Sequence, residues 1–588
     1  MNRSATLRFI SVLLASHLPG PFAQCQDLVW DQIHSIPDSP FSFTYNGQSS
    51  KDLLSDWKRE GSSETLPGGK NRKFTSYDDS SSGMVLQYES TEYADFGAHE
   101  WILRFTNGGD ADTKVVSDVW ALDCTIPCEA TEDLTLYYAD GSEGRVDDFH
   151  PRQNSLEVGA EFDLAPNGGR SSDGVMPYFN LSFSGRSGLI IAIGWTGQWK
   201  ALIGRDQNSQ LTLRTGMKHT HLKLHPGESI RTPSILLLPY SGDRQTGQNT
   251  LRRFLLKEIL PKPGGRPLQL PIAASGATIG FSSVTESNQV AAIRNLADKK
   301  LPVDTWWMDA GWSLGGFPMG MGNPDPDPKR FAHGLRPVAD EAHSTGLKFL
   351  LWFEPERVMP GTWLRENHPE WLLAPSNLPP PLEYQKDWRL LDLGNPEALD
   401  WVKTKVSHDI SDYGVDIYRH DFNMHPLYYW RTEEEGDREG IHEIKYIQGL
   451  YEYFDFLSNE HPGLLLDNCA SGGRRLDFEM MKRSVPLWRS DFCWDPIGGQ
   501  SITFALSNWL PVHGLGAVSA DAYSLRSGYG TNVSFAFDYY NKDAAFWEPL
   551  TSGIEEYRMV REFFFGDYYP LTDYSTGEAA WMACEVHR

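Results

Sequence analysis

The chain has 588 residues, of which 40% are apolar and 22% are charged, so it is long enough for at least two folded domains and too apolar to be disordered. Its 53 basic and 78 acidic side chains leave a formal net charge of −25 at pH 7. Because this charge would be repelled by nucleic-acid phosphates and by anionic membrane surfaces, we expect neither as a partner.

The first 24 residues have the pattern of an export signal. A weakly basic start precedes a short apolar run, residues 9–15, and a candidate cleavage zone near Ala23. The run is too short to span a bilayer, and no other segment approaches eighteen uninterrupted apolar residues. We therefore expect a secreted or periplasmic protein that does not span a membrane. Export would also permit a local disulfide between Cys124 and Cys128.

Residues 25–265 have the features of a β-sandwich. Short apolar runs, such as Trp101–Phe105, Leu134–Tyr138 and Leu189–Ile193, alternate with turns rich in Gly, Asn, Asp and Ser. A segment rich in proline and glycine, residues 261–271, indicates the linker that ends this domain.

Over residues 266–570 the pattern changes to short apolar runs that alternate with helical periodicity. The runs predict buried strands at Val303–Met308, Lys348–Phe353, Arg389–Leu393, Val415–Tyr418 and Leu464–Leu466. A helix is predicted to begin at the Asn395-Pro396 cap and to end at Gly414. Repeated strand–helix units favour a (β/α)₈ barrel, with a doubly wound sheet as the alternative. Residues 571–588 resemble the start of a β-domain, which would then be truncated or absent.

Polar side chains follow most of the predicted strands in this half, where parallel strands share one rim. Two carboxylates that face each other at such a rim can cleave a glycosidic bond, one as nucleophile and one as acid. Asp421 and Asp491 each follow a short apolar run and are the candidates. Structural alternatives exist, because Glu354 and Glu356 could pair with nearby arginines, and Arg419 could be only the counter-ion of Asp421.

A metal site is not expected near Asp421. Its neighbours His420 and His425 imitate a metal-binding cluster, but adjacent residues on a strand point to opposite faces.

Three motifs in this half resemble glycoside hydrolase family 36, the α-galactosidase or melibiase-like family. They are the Leu-Trp-Phe-Glu-Pro-Glu run at 351–356, the Arg-x-Asp-x-Asn pattern at 419–423, and the Cys469 glycine loop followed by Ser490-Asp491. The resemblance covers about residue 30 to the end. It implies a multidomain protein with an N-terminal β-supersandwich, a (β/α)₈ TIM barrel and a C-terminal β-domain.

The same resemblance implies a function. It is that of a retaining exo-glycosidase that removes terminal α-linked galactose from oligosaccharides or glycoconjugates by double displacement. The partner would be an α-galactoside oligosaccharide or glycan, and no metal or organic cofactor would be needed. A monomer and a homo-oligomer both stay open.

Position by position, the resemblance implies that Asp421 is the nucleophile and Asp491 the acid/base. It implies substrate-binding roles for Asp309, Trp352, Arg419, Asn423, Cys469 and Ser471. Several positions depart from the family. Arg419 stands where most members have lysine, Ala310 replaces the second acid at the galactose 4- and 6-hydroxyls, the first-strand Thr-Trp-Glu pattern is missing at residues 277–280, and the Cys469 loop carries Ala470, Ser471 and Arg474 where many members have Ser and Gly. The altered loop leaves an α-N-acetylgalactosaminidase as an alternative, and the lost acid and the missing C-terminal domain leave a non-catalytic sugar-binding protein. A transglycosylase also stays open, because it differs only in whether sugar or water reaches the intermediate.

Overall fold

The structure is a computed structural model that describes residues 39–588, except for 277–279, 282, 433, 494, 538 and 540–543. The export signal predicted over residues 1–24 lies outside the described residues. Within the described part of the chain, no helix is both long enough and apolar enough to cross a membrane. Cys124 and Cys128 are free thiols, so the disulfide considered for them does not form.

The first half of the chain is built from antiparallel strands, as predicted, together with one short helix that was not predicted. In chain order these elements are β1 (Ser42–Tyr45), β2 (Gln48–Ser49), α1 (Ser50–Leu53), β3 (Lys58–Leu66), β4 (Lys70–Asp79), β5 (Met84–Tyr93), β6 (Ala98–Asn107), β7 (Val116–Ile126), β8 (Leu134–Ala139), β9 (Pro151–Ser155), β10 (Glu161–Leu164), β11 (Tyr178–Phe183), β12 (Ser187–Gly194), β13 (Trp199–Arg205), β14 (Leu211–Met217), β15 (His221–Leu222), β16 (Ser229–Arg231) and β17 (Ser234–Ser241).

These strands form two sheets. One has the order β10–β13–β14–β7–β1–β2, and the other has the order β3–β4–β5–β6–β17–β12–β11–β8–β9. Strand β12 is buried on both faces. Successive side chains of a strand point to opposite faces, so Ile191 joins the main core shared by the two halves, whereas Ile190 joins a second core with Phe254 of the following helix. The sandwich is therefore covered on one side by the rest of the chain.

The second half alternates helices with short strands. Its elements are α2 (Arg244–Phe254), β18 (Ile272–Ser275), α3 (Glu286–Asp298), β19 (Thr305–Met308), α4 (Arg336–Ser344), β20 (Lys348–Phe353), β21 (Arg357–Val358), α5 (Trp363–Asn367), β22 (Leu372–Leu373), β23 (Arg389–Leu391), α6 (Pro396–Tyr413), β24 (Ile417–His420), α7 (Leu427–Trp430), β25 (Arg438–Glu439), α8 (Ile441–Glu460), β26 (Leu465–Asn468), α9 (Phe478–Arg483), α10 (Pro496–Leu506), β27 (Gly514–Ala517), α11 (Ala522–Ser527), β28 (Asn532–Ala536), α12 (Ala544–Val560), β29 (Asp567–Pro570) and β30 (Cys584–His587).

Seven of these strands form a parallel sheet in the order β26–β24–β20–β19–β18–β28–β27. The segment 485–489 connects to both edge strands of this sheet. The Val485 amide donates to the Leu466 carbonyl of β26 at 2.9 Å, and the Arg489 amide donates to the Gly514 carbonyl of β27 at 2.9 Å. The carboxyl ends of all these strands therefore face the same rim.

The helix predicted between Asn395 and Gly414 is confirmed as α6. The Asn395 side chain accepts hydrogen bonds from the Glu397 and Ala398 amides, and Gly414 ends the helix at φ 72°. The left-handed conformation at this position is one that glycine adopts without steric cost.

One predicted barrel strand is wrong. Residues 389–391 form β23, which pairs antiparallel with β21 and β22 in a separate small sheet and takes no part in the parallel sheet. Leu390 and Leu391 are buried, as the apolar run indicated. Burial alone does not specify which sheet a three-residue strand joins.

The predicted β-structure at the end of the chain begins earlier than expected, at Asp567. Strands β29 and β30 pair antiparallel. The buried Arg252 side chain of α2 donates to the carbonyls of Phe564 and Gly566 just before this pair.

Candidate active site

All eight site residues predicted from the sequence lie at the carboxyl-terminal rim of the parallel sheet. They are carried by β19, β20, β24, β26 and the segment 485–489, or by the residues directly after them: Asp309, Trp352, Arg419, Asp421, Asn423, Cys469, Ser471 and Asp491. Direct hydrogen bonds or ion pairs connect most of this set.

Asp421 is a buried carboxylate with several hydrogen-bond donors. Its Oδ2 accepts from Trp352 Nε1 at 3.1 Å and from Asn423 Nδ2 at 2.8 Å, and its Oδ1 accepts from the amides of Phe422 at 2.8 Å and Ser471 at 3.2 Å. Burial alone would raise the pKa of Asp421. The charge of Arg419, together with the hydrogen bonds, outweighs burial and holds the pKa below its usual value.

Arg419 connects three carboxylates. Its Nη1 donates to Asp467 Oδ2 at 2.5 Å, its Nε lies 3.6 Å from Asp309 Oδ2, and its charge acts on Asp421. The guanidinium also lies over the Trp307 ring, 4.6 Å from its centroid. Arg419 is therefore more than the counter-ion of Asp421, because it joins the ends of β19, β24 and β26.

Asp491 has the opposite electrostatic environment. Its Oδ1 accepts from Trp488 Nε1 at 3.2 Å. Asp491 is partly exposed to solvent. The protein packed around its carboxyl nevertheless disfavours the charged form, and this desolvation is the main cause that raises the pKa of Asp491 to about 6. The negative charge of Asp421 adds to this shift, whereas Arg474 and Arg419 oppose it. One carboxyl is thus held ionised and the other is held protonated in mildly acidic solution.

The loop after β26 packs against Asp421. Ser471 donates its amide to Asp421 and its hydroxyl to Asn423 Oδ1 at 2.8 Å. The backbone of Ser471 has φ 53°, and Gly472 follows at φ 86°. Cys469 is buried, and its Sγ accepts from the Gly472 amide at 3.3 Å. Burial raises the pKa of this thiol well above its usual range, so Cys469 is a neutral wall of the site.

Asp309 and Trp352 contact the two central residues of the site, Asp309 beside Arg419 and Trp352 beside Asp421. Asp309 accepts from Trp307 Nε1 and from the Ala310 amide, each at 2.8 Å. The side chain of Ala310 is buried in a small apolar cluster with Met321, Trp352 and Met359. An apolar cluster therefore occupies the position where the resemblance implies a second acid.

Glu354 and Glu356 are structural partners, as one of the alternatives proposed. Glu354 accepts from Arg357 Nη2 at 2.5 Å and from the Asn423 amide at 2.7 Å. Burial raises the pKa of Glu354 to about 7 against the opposing charge of Arg357. Glu354 therefore supports the backbone of Asn423. His420 is also structural, because its Nε2 lies 2.6 Å from Glu356 Oε1.

Replacing the fully buried Glu356 with glutamine should destabilise the protein. Its oxygens accept from both terminal nitrogens of Arg475, at 2.7 and 3.0 Å, and from Tyr446. Burial opposes ionisation of Glu356, but Arg475 and His420 lower its pKa to about 2. Glu356→Gln would leave Arg475 buried and uncompensated, which costs roughly 3–5 kcal/mol.

The stabilisation by Glu356 has a defined pH range. The pKa of Glu356 is lower in the folded than in the unfolded protein. The stabilisation by its carboxylate is therefore fully present above about pH 4.5 and is lost as the pH falls towards 2. Urea unfolding at pH 7 and pH 3 measures it, with the exposed Glu370→Gln as control. Equal midpoints for wild type and Glu356→Gln at pH 7 would contradict this assignment.

Two side chains of the sandwich contact the site and were not predicted. Arg170, which is 1% exposed, donates from Nη1 to Ser471 Oγ at 3.3 Å, and Asp148 accepts from Ser490 Oγ at 2.6 Å. These pairs are 301 and 342 residues apart in sequence. No local motif marks a contact at such a distance.

Two carboxylates with opposed pKa shifts at the carboxyl-terminal rim of a parallel strand–helix sheet are suited to the acid/base chemistry that glycoside hydrolases use. A family model described as Melibiase matches residues 280–527 of the chain, which contain every one of the predicted site residues. This match and the motifs at the site support the α-galactosidase-like glycoside hydrolase family 36, as the motifs predicted.

Individual relatives agree with this family. "Alpha-galactosidase Mel36A" of Lactobacillus acidophilus is 24% identical over 68% of this chain and 56% of the relative. "Alpha-galactosidase 1" of Pediococcus pentosaceus is 24% identical over 77% of this chain and 63% of the relative. The chain thus spans less than two thirds of the length of both curated relatives.

The fold is shared with solved structures. A variant of AgaA, a family 36 α-galactosidase from Geobacillus stearothermophilus, in complex with stachyose, aligns with a TM-score of 0.78 at 19% identity, over 91% of this chain and 77% of that chain. The α-galactosidase from Lactobacillus brevis aligns with a TM-score of 0.78 at 20% identity, over 91% and 75%. Both support the same multidomain architecture.

Proposed function

We propose that the protein is a retaining exo-α-galactosidase that acts on terminal α-linked galactose of oligosaccharides or glycoconjugates. The observation that carries this proposal is the opposed environment of Asp421 and Asp491 at one rim. A non-catalytic sugar-binding protein would need neither an ionised nucleophile nor a protonated acid. The relatives named as α-galactosidases support the choice of sugar.

In the first step, Asp421 attacks the anomeric carbon while Asp491 gives its proton to the leaving oxygen. The carbon–oxygen bond to the aglycone breaks, and a bond between the sugar and the Asp421 carboxylate forms. In the second step, Asp491, now ionised, removes a proton from water. The water oxygen displaces Asp421 at the same carbon. Arg419 and Asn423 keep Asp421 ionised before the attack, and Asp491 begins the next cycle protonated.

The proposed architecture is a closed (β/α)₈ barrel with segment 485–489 as the eighth strand. Hydrogen bonds from this segment to β26 and β27 support closure. Closure would place Asp491 across the rim from Asp421. The domain division proposed with it is an N-terminal β-supersandwich over 25–265, the barrel over 266–570 and a β-segment over 571–588. Export to the cell exterior or periplasm is likewise proposed.

A panel of nitrophenyl glycosides tests the proposed substrate. We expect the α-galactopyranoside to be hydrolysed at least about tenfold faster than the α-N-acetylgalactosaminide, because the Ser471 hydroxyl beside the nucleophile already donates to Asn423 and accepts from Arg170, and so is not free to bind an acetamido group. Asp421→Asn is the matched inactive control. A faster rate on the N-acetylated substrate would replace the galactosidase proposal.

The pH dependence of kcat/KM should be bell-shaped with a maximum in mildly acidic solution. Asp421 must be ionised, so activity should fall on acidification through its lowered pKa, below about 3.8. Asp491 must be protonated, so activity should fall above about pH 6. Initial rates on one aryl galactoside between pH 3 and 9 measure both limbs. A profile that stays flat from pH 6 to 9 would contradict the assignment of Asp491 as the acid.

A further inference from the structure

The loop between β8 and β9 of the sandwich reaches the rim of the barrel beside Asp491. Gly144 of this loop has φ 77°, and a Cβ added there would lie 3.7 Å from Asp491 Cβ and 3.5 Å from Arg474 Nη2. The Ser501 hydroxyl of α10 donates to the Val146 carbonyl at 2.8 Å and attaches the loop to the barrel. Residues 142–148, called the rim loop below, therefore cover one side of the proposed acid/base.

Asp148 organises the rim loop from within. This carboxylate is 2% exposed and accepts five hydrogen bonds. Three come from the backbone amides of Glu143 at 2.8 Å, Gly144 at 3.1 Å and Arg145 at 3.1 Å. The other two come from the hydroxyls of Ser142 at 2.7 Å and Ser490 at 2.6 Å.

Ser490 connects Asp148 to Asp491, the residue that follows it in the chain. Its hydroxyl donates to Asp148 and accepts from the Phe492 amide at 3.0 Å, so both neighbours of Asp491 in the chain are held. Ser490 also forms an antiparallel bridge with Gly472 of the loop after β26. A Cβ at Gly472 would lie 2.7 Å from Ser490 Cα, so the two backbones are in close contact. The acid/base is thus fixed between the rim loop and the loop beside Asp421.

The rim loop also positions Arg474, the cation that acts most strongly on Asp491. The Ser142 carbonyl accepts from Arg474 Nε at 3.0 Å, and Arg474 lowers the pKa of Asp491 against the raising effect of burial. The titratable groups that act electrostatically on Asp491 or respond to it are Asp421, Arg419, Arg474, Cys469 and Cys493. Loss of the rim loop would therefore change both the solvation of Asp491 and the position of a cation.

We propose that Asp148, a residue of the sandwich, is a positioning residue for acid catalysis: it folds the rim loop over Asp491 and fixes the backbone of Ser490. This inference rests on the proposed glycosidase function. Asp148 acts through Ser490 and the rim loop and not by contact with the substrate. The sandwich is then part of the catalytic apparatus.

Asp148→Asn tests the proposal, because asparagine keeps the shape and loses acceptor capacity. Acid assistance matters most for poor leaving groups and is worth about 10²–10⁴-fold in total. We therefore expect a roughly tenfold to hundredfold loss of kcat/KM, which reports the first step alone, on an oligosaccharide α-galactoside and less than about threefold on the dinitrophenyl α-galactoside. Because burial is the largest cause of the raised pKa of Asp491 and outweighs the opposing effect of Arg474, better hydration of this carboxyl should also move the alkaline limb of the pH profile below about pH 6.

Asp477→Asn is the matched control. Asp477 is another buried carboxylate between the two halves, and it accepts from the Ser171 hydroxyl at 2.6 Å and caps α9. Loss of the Asp477 carboxylate should change kcat/KM equally for both substrates and leave the alkaline limb of the pH profile unmoved. If Asp148→Asn fails to fold, Ser490→Ala removes the hydrogen bond between Ser490 and Asp148. The loss of activity should again be larger on the oligosaccharide than on the dinitrophenyl substrate.

Equal losses on both substrates with an unmoved alkaline limb would overturn the positioning role of Asp148. A wild-type protein that hydrolyses neither galactoside would contradict the proposed function instead. The two failures are therefore distinguishable in one set of assays.

Discussion

Replacing Asp421 with alanine should reduce galactoside hydrolysis by roughly 10⁴-fold or more, and sodium azide should restore turnover with a β-galactosyl azide as the product. The reason is geometric. The variant loses the carboxylate that attacks the sugar and leaves a space on the β-face that a small anion can enter. Trp352 and Asn423, which donate to Asp421, would remain to line this space. Product identification by NMR measures the outcome.

The stereochemistry of the azide product distinguishes the two carboxylates. An α-azide from Asp421→Ala would contradict its role as nucleophile. The two assignments would be reversed if azide did not rescue Asp421→Ala but gave a β-galactosyl azide with Asp491→Ala. Arg170→Lys, which keeps a charge near Ser471 without removing a carboxylate, is a suitable control for general disturbance of the site.

Replacing Asp491 with alanine should give a loss that depends on the leaving group. For a sugar aglycone, we expect a decrease of about 10²–10⁴-fold in kcat/KM, because the leaving alkoxide no longer receives a proton. For a dinitrophenyl galactoside, which leaves without a proton, the first step should be nearly unchanged. The glycosyl-enzyme should then accumulate, because no base activates water. A burst of dinitrophenol followed by slow turnover measures this.

Azide should also accelerate turnover of Asp491→Ala on the aryl substrate, but with an α-galactosyl azide as the product. Azide here attacks the glycosyl-enzyme from the face that water uses and needs no base. Equal losses on aryl and sugar aglycones, with no burst, would show that Asp491 does not act as the acid.

The sequence was sufficient for features that depend on local chemistry. The cap at Asn395 and the left-handed Gly414 predicted α6 correctly, because both signals lie within the helix ends themselves. Asp421 and Asp491 were predicted as the catalytic pair from their position after short apolar runs, and the structure places both at one rim. Parallel strands bring such positions to one rim regardless of the details of packing.

Other features depend on contacts that no local pattern encodes. Leu390 and Leu391 are buried as predicted, but they lie in a small antiparallel sheet, because two apolar residues satisfy either sheet equally well. Arg170 and Asp148 reach the site from the sandwich across more than 300 residues. The opposed pKa shifts of Asp421 and Asp491 arise from burial and from the placement of Arg419, which only the folded chain determines.

The replacement of the family lysine by Arg419 has a structural explanation. A guanidinium offers several donors in a fixed plane, and Arg419 uses them to reach Asp467 while it lies near Asp309 and over the Trp307 ring. A lysine ammonium would act as a single point charge and would leave one of these contacts unmade. The arginine therefore joins three strand ends and still keeps Asp421 ionised.

Double displacement by Asp421 and Asp491 is tested most directly by the anomer of galactose that forms first. Proton NMR during early turnover of an aryl α-galactoside, before mutarotation, distinguishes the two anomers of the released galactose. Two successive inversions at the same carbon predict that α-galactose forms first. β-Galactose as the first product would mean a single displacement by water, and it would contradict the role of Asp421 as a nucleophile.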